Sequence, residues 1–262
     1  YLSSMRMVFS GLILTIASLL TNKENLISML KDKRSVLELV LFALFGLLFN
    51  QVSYLEAINN SNSGTATILQ YIGPVFCMIT ECILIKRLPT KKEVGAIMLA
   101  MIGTFILATH GDIHRIYITP LGLMWGLFSA FAIVFYTFLP IRLIGKYGAI
   151  PVTGCAMLIG GAITSTCSKA FLQPFNTNPK FIMLLVLIIL LGTIVSYTLY
   201  LMGINRCGPV VASMLASIEP VSATVFMVIL LNVPFTGIEA LGFACIFVTV
   251  FILARSKATN KK

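Results

Sequence analysis

Glu219 is a carboxylate set roughly 11 residues from either end of an apolar stretch, 209–231. On insertion scales a charge at the centre of a membrane helix costs about 2.5 to 3.5 kcal/mol, so something must compensate it. Without a cation the carboxyl keeps its proton. Facing water or a basic substrate it ionises, and a group that does both can couple proton movement to transport. The alternative is a protonated Glu219 hydrogen-bonded to a neighbouring helix as a structural tie.

A second set of polar residues lies along the stretch 64–85. Ser63, Thr67, Gln70, Pro74, Cys77 and Glu81 follow one another at spacings of four, three, four, three and four, which predicts one helical face. Ser213, Ser217, Pro220 and Thr224 repeat the rhythm in 209–231. Pro74 and Pro220 lack an N–H, so each breaks its helix and frees a carbonyl four residues earlier, at Gln70 and Ala216. In lipid such a carbonyl needs a partner or a wet cavity. Two polar stripes suit a shared cavity, and equally suit close helix packing through small and hydroxylated residues. Gln70 and Glu81 are not small, which favours the cavity.

Around these stand aromatic residues that offer flat walls to an amino-acid side chain or a base: Tyr71, Trp125, Tyr136, Tyr197 and Tyr200. Interfacial anchoring accounts equally well for Tyr136 and Tyr200. The expected substrate-binding set is Gln70, Tyr71, Trp125, Tyr197, Ser217 and Glu219. Glu81 is a second coupling candidate, although it lies one turn from Lys86 and can snorkel towards water. His110 and His114, with Asp112 between them, have the spacing of a metal pair on a helix. In a loop they read as solvated polar residues, and no metal or other cofactor is expected. No G-x-x-x-x-G-K-[ST] phosphate loop and no nucleophile–base constellation occurs, so the expectation is a non-enzyme without its own ATPase. The six cysteines form no C-x-x-C pair and read as packing residues.

The elements that must hold these residues are membrane helices. Of the 262 residues 58% are hydrophobic and 11% charged, and the mean hydropathy is +0.98. A water-soluble fold of this length has no way to hide that much apolar surface. Nine apolar stretches of about 18 to 24 residues are each close to the span of a bilayer. They fall near 7–21, 36–57, 64–85, 94–110, 119–139, 149–171, 181–203, 209–231 and 236–254. Assigning alternate loops to two sides puts 15 of the 19 Lys and Arg on one side and four on the other. Positive charge gathers in the cytoplasm, so the crowded side, with the C-terminal tail, is cytoplasmic. The net charge of +10 therefore reflects topology and anionic headgroups, and no nucleic-acid partner is expected.

Sliding the chain by 146 positions lays 54–108 on 200–254 without a gap and matches 17 of 55 residues. Tyr54 meets Tyr200, Asn59 meets Asn205, Pro74 meets Pro220, Glu93 meets Glu239, and 105–108 repeats as 251–254. The shift spans five helices, an odd number, so the second half enters the membrane inverted. The predicted fold is all-α, with nine transmembrane helices of a ten-helix plan. Residues 1–112 form a first repeat lacking its first helix, and 113–262 an inverted second repeat with a basic tail. The start at Tyr1 fits a missing N-terminal piece. Asn59 and Asn205 are expected to cap or turn before the following helices. Gly122, Gly126 and Ala130, and likewise Gly160 and Gly161, are expected to be packing seams, within the chain or between protomers.

These features resemble the EamA-type members of the drug/metabolite transporter superfamily, most closely over Gly64–Ala108 with Pro74 and over Gly208–Ala254 with Glu219 and Pro220. Arg6 is similar to the arginine that opens the family's second helix. The chain departs from the family where acids often close its fourth and ninth helices, since Lys86 and Asn232 stand there. The resemblance implies two inverted five-helix units and secondary transport of an amino acid, nucleoside or related metabolite across the cell membrane. A channel or a non-transporting scaffold is the other reading.

Overall fold

Lys33 and Pro179, Ser63 and Pro209, and Lys91 and Gly237 each open a helix, and the members of each pair lie 146 positions apart. The computed structural model describes residues 2–109, 112, 119–168, 178–216, 218, 219, 221, 222, 225, 229 and 237–259. Its helices are α1 (Leu2–Thr21), α2 (Lys23–Lys31), α3 (Lys33–Asn59), α4 (Ser63–Leu84) and α5 (Lys91–Thr109). They continue as α6 (Pro120–Tyr147), α7 (Ala149–Cys167), α8 (Pro179–Cys207), α9 (Pro209–Leu215) and α10 (Gly237–Thr259). By length and composition α1, α3, α4, α6, α7 and α8 can each cross a membrane. The other three expected segments hold α5, α9 followed by helical Ile218 and Glu219, and α10.

The chain divides into two units, one of Tyr1–Phe49 with Phe135–Cys207 and the other of Asn50–Val134 with Gly208–Lys262. Each unit thus takes helices from both expected repeats. In the first, α1 packs on α7. A Cβ on Gly161 would lie 2.9 Å from Val8 N, and one on Gly154 the same distance from Thr15 N. The shift of 146 converts the first of these contacts into the second. In the other unit α5 packs on α10, where a Cβ on Gly103 would lie 2.9 Å from Gly242 O and Thr249 Oγ1 donates to Ala96 O at 3.3 Å. That pair also interconverts under the same shift. Contacts that return to themselves in this way mark a two-fold relation. Position numbers rise along one helix as they fall along the other, so the partners are antiparallel. Glycines allow the close approach, since helices in lipid associate by packing.

Helices α3 and α8 carry a further correspondence. Each contains a wide turn, Phe42–Leu48 in one and Leu190–Val195 in the other, with Gly46 and Gly192 at equivalent places. Such π-segments close each backbone hydrogen bond over five residues instead of four, which widens the helix. In α8, Thr193 and Ser196 hydroxyls donate to the carbonyls of Ile188 and Leu191, five residues back, at 3.0 and 2.9 Å.

Three local expectations change. Residues 23–31, expected as loop, form α2, because Leu26 and Met29 have an apolar surface to bury. Helix α6 restarts after Pro140 and continues to Tyr147 instead of ending near 139. Asn59 ends α3 and Asn205 lies within α8, so neither caps the next helix. Asn62 accepts from Thr65 N at 2.8 Å to cap α4. Gly208 precedes α9 at φ 81°, a backbone that a side chain would strain.

Candidate functional site

Tyr71 sits where α4 breaks. Its backbone leaves the helix after Gln70, and Pro74 falls in the first turn of the next piece, Gly73–Leu84. There a missing N–H is no loss. The polar face expected to run from Ser63 to Glu81 is therefore divided in two.

The division sends adjacent side chains to different neighbours. Gln70 Nε2 donates to Ser129 Oγ on α6 at 2.8 Å and to Asn50 Oδ1 on α3 at 3.4 Å. Tyr71 Oη faces two acceptors, Ala216 O at 3.3 Å and Glu219 Oε2 at 3.4 Å, and its one proton serves one of them at a time. Ala216 O also accepts the Glu219 N–H at 2.9 Å. One turn earlier, Thr67 Oγ1 donates to Ser63 O at 2.8 Å, so it accepts from Tyr54 Oη at 2.9 Å. All of these residues belong to the second unit.

Small residues bring α6 this close to α4. A Cβ on Gly126 would strike Leu69, and one on Gly122 would lie 2.8 Å from Asn60 O. Ala130 is fully buried, and a Cβ on Gly73 would lie 2.5 Å from Ile133 Cδ1. This seam packs within the chain, as does that of Gly160 and Gly161 against α1.

The remaining sequence candidates separate. Trp125 lies one turn before Ser129 on α6 and meets Phe128 edge-on at 5.8 Å. Tyr197 belongs to the first unit, where it meets Tyr136 edge-on at 5.6 Å. Tyr136 there stacks between Phe42 at 6.0 Å and Tyr200 at 5.1 Å, and Tyr200 Oη pairs with Thr137 Oγ1 at 2.9 Å. Ser217, Pro220, Thr224, His110, His114 and Asn232 lie outside the described residues.

Glu81 pairs with Arg87, not Lys86. Arg87 Nη2 lies 2.8 Å from Glu81 Oε2, and both its Nη atoms lie 2.7 Å from the two oxygens of Glu93. Lys86 terminates α4 in the left-handed region, at φ 50°, which places Arg87 back over the helix end. Glu93 also accepts from Thr90 N and Oγ1 at 2.8 and 2.9 Å. The Arg87 guanidinium, against the opposing effect of burial, holds the Glu93 carboxyl down at about 2. Sequence reading passed over this cluster, although Thr90-x-x-Glu93 is a capping-box signature before an apolar run.

It also passed over a network in the first unit. Asp32 caps α3 through Arg34 N at 3.1 Å. Its other oxygen accepts from Ser35 Oγ at 2.8 Å and from Tyr147 Oη and Lys146 Nζ at 3.2 Å. The Ser35 hydroxyl, then Lys146, hold its carboxyl below the usual range. Arg142 meets Glu38 at 2.6 Å on the next turn. No short-range pattern links residues more than 100 positions apart.

The chain as a whole has counterparts among known proteins. The sequence pattern of the EamA-like transporter family matches residues 1–109 and 120–255. The chain belongs to this family. It is 34% identical over 254 residues to the uncharacterized inner membrane transporter YicL of Salmonella typhimurium, covering 97% of this chain and 84% of that one. A protein of known crystal structure matches its fold with a TM-score of 0.80 at 16% identity, over 100% of this chain and 88% of that one. This EamA-like chain is accordingly a multi-pass membrane transporter of the drug/metabolite transporter superfamily.

Proposed function

We propose that the chain is a secondary carrier that moves a small metabolite by alternating access, with Gln70, Tyr71 and Glu219 in its substrate site. The observation that carries the reading is the antiparallel pairing of repeat-equivalent helices, α1 with α7 and α5 with α10. Halves of opposite orientation can exchange conformations, which turns one site towards each side in succession. Glu219 is the group for proton coupling. Among the described residues no Lys, Arg or His lies within 4 Å of its carboxylate, and a proton or a basic substrate would balance its charge. The C-terminus is assigned to the cytoplasm from the 15 to four split of basic residues. The substrate range implied by the family is amino acids, nucleosides and related compounds.

Purified protein in proteoliposomes tests the reading. Saturable counterflow, with pH-gradient dependence lost in Glu219→Gln, is the expected result. Linear conductance would make it a channel, and neither activity would leave a scaffold. pH-driven transport that survives in Glu219→Gln rejects the coupling role.

A further inference from the structure

Helix α2 (Lys23–Lys31) joins α1 to α3 through a single residue at each end, Asn22 and Asp32, and the backbone leaves helical geometry at both. Since α1 and α3 are each long and apolar enough to cross the bilayer, the ends that α2 connects lie at one membrane surface. Nine residues of helix measure about 13 Å, and the axes of packed helices lie about 8 to 10 Å apart. A connector of that length between two corners runs along the surface.

The two long faces of α2 differ. Leu26 and Met29 are buried against the first unit, and Asn25 Nδ2 donates to Tyr147 O at 3.3 Å, which holds α2 to the end of α6. The opposite face keeps two large apolar side chains outside, Ile27 at 38% and Leu30 at 52% exposure. Leu20 near the end of α1 and Leu37 in the second turn of α3 are exposed as well, which marks the neighbouring level of the hydrocarbon. Lys23 and Lys31 stand one turn to either side of Ile27, and Lys33 opens α3 just beyond; all three are exposed. None of these lysines has an acid within ion-pair distance among the described residues, whereas Arg34, Arg142 and Lys146 are taken by Glu38 and Asp32. Glu24 is the one acid of α2, so the surface keeps an excess of positive charge.

We infer that α2 is an in-plane helix docked on anionic glycerophospholipids, with Ile27 and Leu30 sunk among the acyl chains and Lys23, Lys31 and Lys33 on the headgroup phosphates. Lysine stems reach from an apolar face up to the headgroup level, which keeps their charge in water while the two apolar side chains leave it. An anionic lipid offers net negative charge there. A zwitterionic lipid brings its own ammonium, which offsets the attraction.

Ile27→Trp combined with Trp125→Phe puts the chain's one tryptophan on α2. The full chain is placed in nanodiscs of equimolar phosphatidylcholine and phosphatidylglycerol, with bromine on the acyl chains of one lipid or of the other. Neither the carrier reading nor the orientation of the chain enters, because such a bilayer presents the same lipids on both faces. Brominated chains quench a ring that lies among them. Quenching is expected with both lipids, and stronger by about twofold or more when phosphatidylglycerol carries the bromine, since each nearby lysine adds to the attraction. The preference should vanish when Lys23→Gln, Lys31→Gln and Lys33→Gln are combined, and also in high salt, where the attraction is screened. Should the triple variant not fold, the three single variants are each expected to lower the preference in part. Equal quenching by the two lipids with the lysines in place overturns the anionic partner. Absence of quenching by either lipid puts Ile27 in water or against another protein, and overturns the membrane face. A preference that survives loss of the lysines overturns their part in it.

Discussion

Tyr71 and Glu219, 148 positions apart in the chain, meet through one hydroxyl, with Oη 3.4 Å from Oε2 and 3.3 Å from Ala216 O. The bond joins the break in α4 to the segment after α9. Both of its acceptors are long, so it positions the carboxylate without saturating it.

Tyr71→Phe should therefore weaken apparent substrate affinity about three- to tenfold and leave the fold intact, because a charge-assisted bond of this length gives less than the usual 1.5 to 3 kcal/mol. The half-saturating substrate concentration for counterflow in proteoliposomes measures it. A Phe variant that binds as the wild type does would show that the hydroxyl plays no part.

The Arg87 cluster predicts a pH effect with a definite sign. Glu93 titrates at about 2 in the folded protein against an ordinary 4.5. A depressed carboxylate adds stability above pH 4.5 and loses it as pH falls towards 2. Between pH 6 and pH 3 the melting temperature of the wild type should drop further than that of Glu93→Gln. Arg87→Lys should fall short of rescuing Arg87→Ala, since an ammonium has no bidentate fork.

Asp32 separates a cap from a charge. Asn caps a helix about as well as Asp, so Asp32→Asn keeps the bond to Arg34 N and loses the ion pair with Lys146. Asp32→Ala loses both. Melting temperatures should fall in the order wild type, Asn, Ala, and the first gap should close in high salt as the pair is screened. An Asn variant as unstable as Ala would assign the whole effect to charge.

The two π-segments offer a matched pair of glycines. A Cβ on Gly46 would lie 2.7 Å from the Phe42 ring and 3.1 Å from Tyr136 Cα, whereas one on Gly192 meets its nearest atom at 3.9 Å. Gly46→Ala should cost about 1 to 3 kcal/mol by overpacking, and Gly192→Ala should be neutral or slightly stabilising. Thermal melts in one detergent compare them. Equal losses would mean that the segments, and not their surroundings, set the cost.

Much of the architecture is written locally. Apolar runs of bilayer length mark helices in any sequence order, and α1, α3, α4, α6, α7 and α8 all follow them. The repeat is equally legible, because duplicated residues such as Tyr54 and Tyr200 keep their spacing, and helix starts recur at the same interval. Pro74 marked the break in α4, although the divided face that results was read as continuous. Asn62, not Asn59, caps α4, since a cap depends on where the first turn closes and several asparagines competed for that place.

From the sequence alone came the class of protein, the rough placement of its apolar helices, the repeat at 146 residues and the carboxylate at Glu219. Hydropathy, periodicity and self-similarity are properties of the chain itself, so they survive without coordinates. Partnership was decided only in three dimensions: Glu219 with Tyr71, Glu81 with Arg87, Tyr197 with Tyr136, and α1 with α7. A hydrogen bond acts over about 3 Å. Which distant residues come within that reach is set by the packing of whole helices, and no stretch of the chain carries that information by itself.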